Sequence, residues 1–105
     1  MVNPHAGEVE VVIDGQSHCC KLTLGALAEL EATLGEDTLL DLVRRFESGA
    51  VSSRDVLALI LAGLRGGGWQ GDPADLLTAE FEGGPVGAAK TAATLLTRAF
   101  GPVAA

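Results

Sequence analysis

His18, Cys19 and Cys20 form the one run in this chain that clusters metal-ligand nitrogen and sulfur atoms, and His5 is the sole further histidine. Structural zinc takes a closed tetrahedral set of such ligands. If the run is a β-strand, alternation sends Cys19 to the face opposite His18 and Cys20. Only two ligands then converge, and His5 is the sole spare one. Adjacent cysteines cannot make an ordinary structural bridge, because their side chains diverge. The three residues therefore read as small strand residues, and no metal site is expected.

The stretch "GLRGGGWQGD", Gly63 to Asp72, invites comparison with phosphate-binding loops. The P-loop pattern ends in Gly-Lys-Ser/Thr, and the dinucleotide fingerprint follows a strand and opens a helix. Here the glycines follow a helical pattern, so residues and context both fail, and the stretch reads as a helix stop and a loop. A nucleophilic Ser or Cys needs a base within hydrogen-bond reach, and the two histidines lie near the N-terminus and beside a turn. Glu29 and Glu31 flank a helical stripe, where a solvated face is the usual explanation. No catalytic residue, no cofactor and no enzymatic activity are expected.

The bulk properties narrow the partners. The 105 residues suit one domain spanning 1–105, whose modest size makes self-association a useful source of stability. Hydrophobic residues make up 48% and charged residues 20%, a globular composition. Seven basic against fourteen acidic residues give a net charge of −7. Binding phosphates needs a basic face, so neither nucleic acid nor an anionic membrane is expected as a partner. No apolar run approaches the roughly 20 residues that span a bilayer. The start, "MVNPHAGEVE", lacks the basic-then-apolar pattern of a signal peptide. With unpaired neighbouring cysteines, a reduced cytoplasmic protein is the simplest reading.

The elements follow from periodicity. Residues 8–24 alternate as a β-hairpin: Val9, Val11 and Ile13 on one face, and Cys20, Leu22 and Leu24 on one face of the return strand. A four-residue "DGQS" loop would set Glu10 opposite Lys21. Residues 25–100 read as four or five short helices, so the fold class is α+β, with both termini expected to be mobile. Helix one opens at Thr23 or Gly25, carries Leu27, Leu30 and Leu34, and stops at Gly35. Thr38 with Asp41, and Ser52 with Asp55, have capping-box spacing before helices two and three. Leu39, Leu42, Val43 and Phe46 stripe the second; Val56, Leu57, Ile60, Leu61 and Leu64 stripe the third. Asp72 and Pro73 open a short fourth helix carrying Leu76 and Leu77, with Phe81 beyond. Pro85 opens the last, in which Val86, Ala89, Ala93, Leu96 and Phe100 recur at helical spacing. Leu27, Leu30, Leu42, Phe46, Ile60 and Leu64 are the expected core.

Three features point to protein contacts. Leu40 and Leu59 lie off the main stripes of their helices and are candidate partner-binding residues; the alternative is cover by a neighbouring helix. Trp69, the sole tryptophan, is a third candidate, either as a plug on the core or as an exposed anchor. The Ala-rich seam of the last helix either receives another helix or packs on this domain's own core.

Together, "NPHAGEVEVVIDG", "LTLGALAELEATLG", "SSRDVLALILAGLRGGG" and a last helix ending "RAFG" resemble the gene transfer agent family, over Asn3 to Gly101. These are small proteins encoded in the tail region of gene transfer agents and related prophages. The resemblance implies a non-enzymatic tail assembly chaperone, with the tape measure protein, and also the tail tube protein, as partners. Its rivals are a structural tail component of the particle and a cellular protein-interaction adaptor.

Overall fold

The computed structural model describes residues 7–100. The expected mobile termini and His5 lie outside them. Two antiparallel strands, β1 (Val9–Ile13) and β2 (Gln16–Cys20), are followed by helices α1 (Leu24–Leu34), α2 (Leu39–Ser48) and α3 (Ser53–Gly66). A short 3₁₀ helix (Pro73–Leu77) leads to α4 (Gly84–Phe100). The architecture is the expected α+β single domain, a hairpin laid on helices.

The hairpin turn is tighter than the "DGQS" reading. Ile13 pairs with Gln16, so the loop is the two residues Asp14 and Gly15, with φ of 51° and 78°. Positive φ at both positions is the type I′ geometry that Asp-Gly favours, because its twist matches that of the strands. The shorter loop shifts the register, so Glu10 faces Cys19 rather than Lys21. Glu10 instead accepts a 2.6 Å hydrogen bond from the Ser17 hydroxyl, its diagonal neighbour. The return strand also ends earlier than expected. Thr23 caps α1, its Oγ1 accepting from the Ala26 N–H at 3.1 Å. Leu24 thereby becomes the first helical residue and is 85% exposed, while Cys20 and Leu22 stay buried.

Two strands alone are unstable in water, so the hairpin depends on what covers it. The cover is α3, which packs on β2, α1, α4 and the 3₁₀ helix. Its approach to β2 is close enough to exclude side chains. A Cβ on Gly66 would stand 1.9 Å from the Lys21 carbonyl oxygen, and one on Gly67 2.0 Å from that of Cys19. Lys21 N–H donates to the Gly63 carbonyl at 2.8 Å. The "RGGG" run is thus a contact surface as well as a helix stop.

The helices are joined by designed ends. Both capping boxes form as their spacing predicts, at Thr38/Asp41 and at Ser52/Asp55. Asp55 does more than cap. Its carboxylate also receives a forked pair from Arg45, Nε to Oδ2 at 2.8 Å and Nη2 to Oδ1 at 2.9 Å. Arg45 reaches Asp37 as well, at 3.3 Å. Burial opposes the charge on Asp55, but hydrogen bonds from Arg45 and Ser52 outweigh it and hold the carboxyl below its ordinary range. This clamp ties α2 to the start of α3.

Of the expected core, Leu30, Leu42, Ile60 and Leu64 are fully buried, whereas Leu27 and Phe46 are half-buried against it. The buried face of α4 is rotated by one residue, about 100°, from the expected seam. Ala88, Ala92, Leu95 and Leu96 face the core, and Val86 and Phe100 are exposed. In a helix so rich in alanine, periodicity alone cannot choose between adjacent stripes. The expected short fourth helix forms as a 3₁₀ helix, with Asp72 capping it through the Ala74 N–H at 2.9 Å.

Two outcomes test this reading. Gly66→Ala should destabilise the domain by about 2 kcal/mol or more in urea unfolding, through overpacking. Gly25→Ala, whose Cβ would meet only Thr23 Oγ1, at an ordinary contact distance of 4.0 Å, should leave stability unchanged or raise it slightly. Asp55→Ala should cost about 2 kcal/mol, from the lost cap and the charge-assisted pair. Because the folded-state pKa of Asp55 is depressed, its contribution is complete above the unfolded carboxyl value of about 3.9 and fades as pH falls below it. The variant should therefore lose less stability than the parent between pH of about 4 and about 2.

Candidate interaction surface

The sequence-singled residues separate in the structure. His18 and Cys20 share one face of β2 and Cys19 takes the other, as alternation requires. Burial pushes the Cys20 thiol up to about 12, with Cys19 adding to it. Desolvation also raises Cys19, reinforced by the Glu8 carboxylate. Both cysteines are free thiols, and the upward shifts keep both protonated at neutral pH, the opposite of the lowered pKa that marks a reactive cysteine. Among the described residues, no group of three or more His, Cys, Asp or Glu side chains is placed to hold a metal ion. Among them, too, no helix is long and apolar enough to cross a membrane.

Leu40 is 56% exposed on α2 and can meet a partner. Leu59 cannot, because it has no exposed surface. This corrects its place among the candidate contact residues. α3 is covered on several sides by α1, α4, β2 and the 3₁₀ helix, so a position off its main stripe is still inside. A helix packed on several sides has no free face to which an off-stripe leucine could belong. Trp69 is half-buried and packs against the core, while its backbone N–H donates to the Leu64 carbonyl at 2.8 Å and helps end α3. Its ring lies over Gly71, where a Cβ would come within 2.1 Å of it. That is the plug alternative rather than the free anchor. α4 packs on α3 and β1 through Ala88, Ala92, Leu95 and Leu96, a face one residue round from the expected seam.

Further accessible apolar surface lies in two grooves. The larger, about 510 Å³, runs between α3, the 3₁₀ helix and the start of α4. Val56, Leu57, Leu76, Leu77, Phe81 and Ala88 line it. Leu77 stands at its edge, 74% exposed. The smaller, about 160 Å³, lies between α2 and α4 and is lined by Val43, Phe46, Ala93, Leu96 and Phe100. Neither Leu40 nor Trp69 lines either groove.

Local chain chemistry explains why the larger groove is open. The five-residue 3₁₀ helix buries Leu76 and turns Leu77 outward. The chain then runs beside β1. Ile13 and Phe81 form an antiparallel bridge, Asp14 N–H donates to the Glu80 carbonyl, and Glu82 N–H donates to that of Val12. Residues 72–86 carry Asp72, Asp75, Glu80 and Glu82 and no lysine or arginine. Asp14 joins them at the hairpin end, its carboxylate accepting from the Glu80 N–H at 2.9 Å. The groove is therefore apolar inside, Glu80 is the one charged residue that lines it, and the segment that forms its 3₁₀ wall carries three further carboxylates. One signal in the sequence could have found it: "LLTAEF" puts more apolar residues into a short segment than one turn can bury.

A small α+β domain with apolar grooves and an acidic margin offers other molecules a contact surface. The family model described as "Phage tail tube protein, GTA-gp10" matches residues 6–102, and the chain belongs to that family. The match agrees with the resemblance to gene transfer agent and phage tail proteins; the chaperone role is a finer statement than the family description carries. No curated protein and no solved structure is measurably similar to the chain.

The thiols give a direct check. In the native protein Cys20 should not react with a thiol reagent at pH of about 7, and Cys19 should react far more slowly than a free cysteine, whose pKa is about 8.5. Both should react at once in denaturant. Fast native labelling of Cys20 would contradict its assigned burial.

Proposed function

We propose that the protein is a structural component of a phage-type or gene transfer agent tail, acting in the cytoplasm by contact with other tail proteins. The carrying observation is the family match across residues 6–102. The free thiols fit a reducing compartment. The net charge of −7 favours solubility before assembly. Apolar grooves give such a protein places to bind neighbours without any chemical step.

A second reading is favoured by one feature of the fold. A tube wall made of β-sheet needs strands that tilt, pair and close around an axis. This domain supplies two strands of five residues each, one edge of which is occupied near the turn by residues 80–82. A helical protein of this kind is better suited to cover a long amphipathic partner during assembly. In that reading it is a tail assembly chaperone that keeps the tape measure protein soluble.

Purified particles separate the two. Quantitative mass spectrometry should find the protein in many copies per particle if it is a tail component. A chaperone should be absent from finished particles, and its co-expression should raise the amount of soluble tape measure protein. Absence from particles together with no effect on tape measure solubility would defeat both readings.

A further inference from the structure

We propose that the groove between α3, the 3₁₀ helix and α4 receives an amphipathic α-helix of another tail protein, apolar on one face and carrying lysine or arginine beside that face. Only the source of the helix rests on the tail function proposed above; its chemistry follows from the groove.

The groove selects against a small molecule. Its volume, about 510 Å³, would suffice, but small-molecule sites place a few convergent polar groups among apolar walls. Here the lining side chains are aliphatic or aromatic apart from Ser53 and Glu80. The groove also selects against an extended peptide. An extended chain buries its peptide groups only by pairing them with a strand edge. The neighbouring edge of β1 is already engaged near its turn, through Val12 with Glu82 and Asp14 with Glu80. The walls that remain are side chains of helices. An occupant must bring a backbone whose hydrogen bonds are satisfied internally, which is an α-helix.

Charge selects the kind of helix. Four carboxylates and no cation lie in residues 72–86, and Asp14 is held against Glu80. The nearest cations in sequence to the lining residues are Arg54, beside Ser53, and Lys90, beyond Ala88. Glu80 is the one charged residue lining the groove, the segment that carries it is acidic, and so is the whole chain at −7. A second copy would bring the same excess of negative charge and be repelled. A basic-flanked helix meets complementary potential, which steers encounter and orients docking.

The test uses the intact protein and a synthetic helical peptide labelled with fluorescein, with leucine at i, i+3, i+4 and i+7 and lysine beside that stripe. A twin carries glutamate in place of lysine. The lysine peptide should bind saturably, one per chain, and the twin about tenfold more weakly or worse. Leu77→Asp decides between docking and simple attraction. It makes the margin more acidic, so non-specific attraction would tighten binding, whereas loss of the apolar lip should weaken it about tenfold. Leu77 is exposed, so the variant should fold, and circular dichroism checks that. Leu24→Asp, at an exposed leucine outside the groove, should leave affinity unchanged. Glu80→Lys should weaken the lysine peptide several-fold and strengthen its glutamate twin.

Unaltered or tighter binding by Leu77→Asp overturns the proposal, as does an equal loss with Leu24→Asp. Wild-type dimers that Leu77→Asp dissolves would place a second copy in the groove and overturn it too. No particle or tail protein is used, so failure here is distinguishable from failure of the function proposed above.

Discussion

The closeness of α3 to β2 is the constraint from which the rest of the domain follows. A hairpin of two five-residue strands has no stability of its own, and its apolar face holds Val9, Val11, Ile13 and Cys20. α3 reaches the end of the second strand through Gly66 and Gly67, where backbone meets backbone with no room for a side chain, and through Gly63, whose Cβ would meet the side chains of Leu95 and Cys20. That approach lets the Lys21 N–H pair with a carbonyl of α3 and closes off the outer edge of the hairpin just beyond Cys20. It also forces α3 into the middle of the molecule. Once it lies there, α1 and α4 must pack on its other sides, and Leu59 is buried although it stands off the main stripe.

A central helix has to be fixed at its start as well as its end. The Asp55 carboxylate does this by serving two roles at once, as the third-position member of a capping box and as the partner of Arg45 from α2. Exposed ion pairs contribute little because water screens them. This one is forked, hydrogen-bonded by Ser52 as well and 6% exposed at Asp55. α2 is held chiefly by this pair and by Leu42, while Val43 and Phe46 cover the core only in part. The gap left beside them becomes the smaller groove against α4.

Where the sequence was legible, a local rule acted alone. Thr38/Asp41 and Ser52/Asp55 announce helix starts because the cap is made by residues three apart. Gly35 and Gly49 announce helix ends because positive φ there suits glycine. The reading failed where two local rules competed or where the tertiary neighbour decided. Asp-Gly asked for a two-residue turn, while the charges of Glu10 and Lys21 suggested a longer one; backbone twist prevailed. Ala88, Ala89, Ala92 and Ala93 cannot rank the faces of α4, so the position of α3 does. The glycines at 66 and 67 read as loop because their reason for being small, the carbonyls of Lys21 and Cys19, is far away in sequence. The larger groove was illegible for the same reason: its walls come from three separate elements.

The groove persists because nothing in the described chain can fill it. The 3₁₀ helix is too short to bury both of its leucines. The segment after it is drawn toward β1 by the Ile13–Phe81 bridge and cannot fold back over Leu57 and Leu77. Positive φ at Gly83 and Gly84 then turns the chain directly into α4. The bridge that holds the hairpin's turn end in place therefore also leaves an apolar surface uncovered. Removing that surface by local change would mean lengthening the 3₁₀ helix or releasing Phe81, and either would loosen the hairpin. A domain built for stability alone could instead place a polar residue at position 77, which the structure leaves exposed. The leucine there is 74% exposed and gains little from the fold, and most of its apolar area contributes free energy when something else covers it.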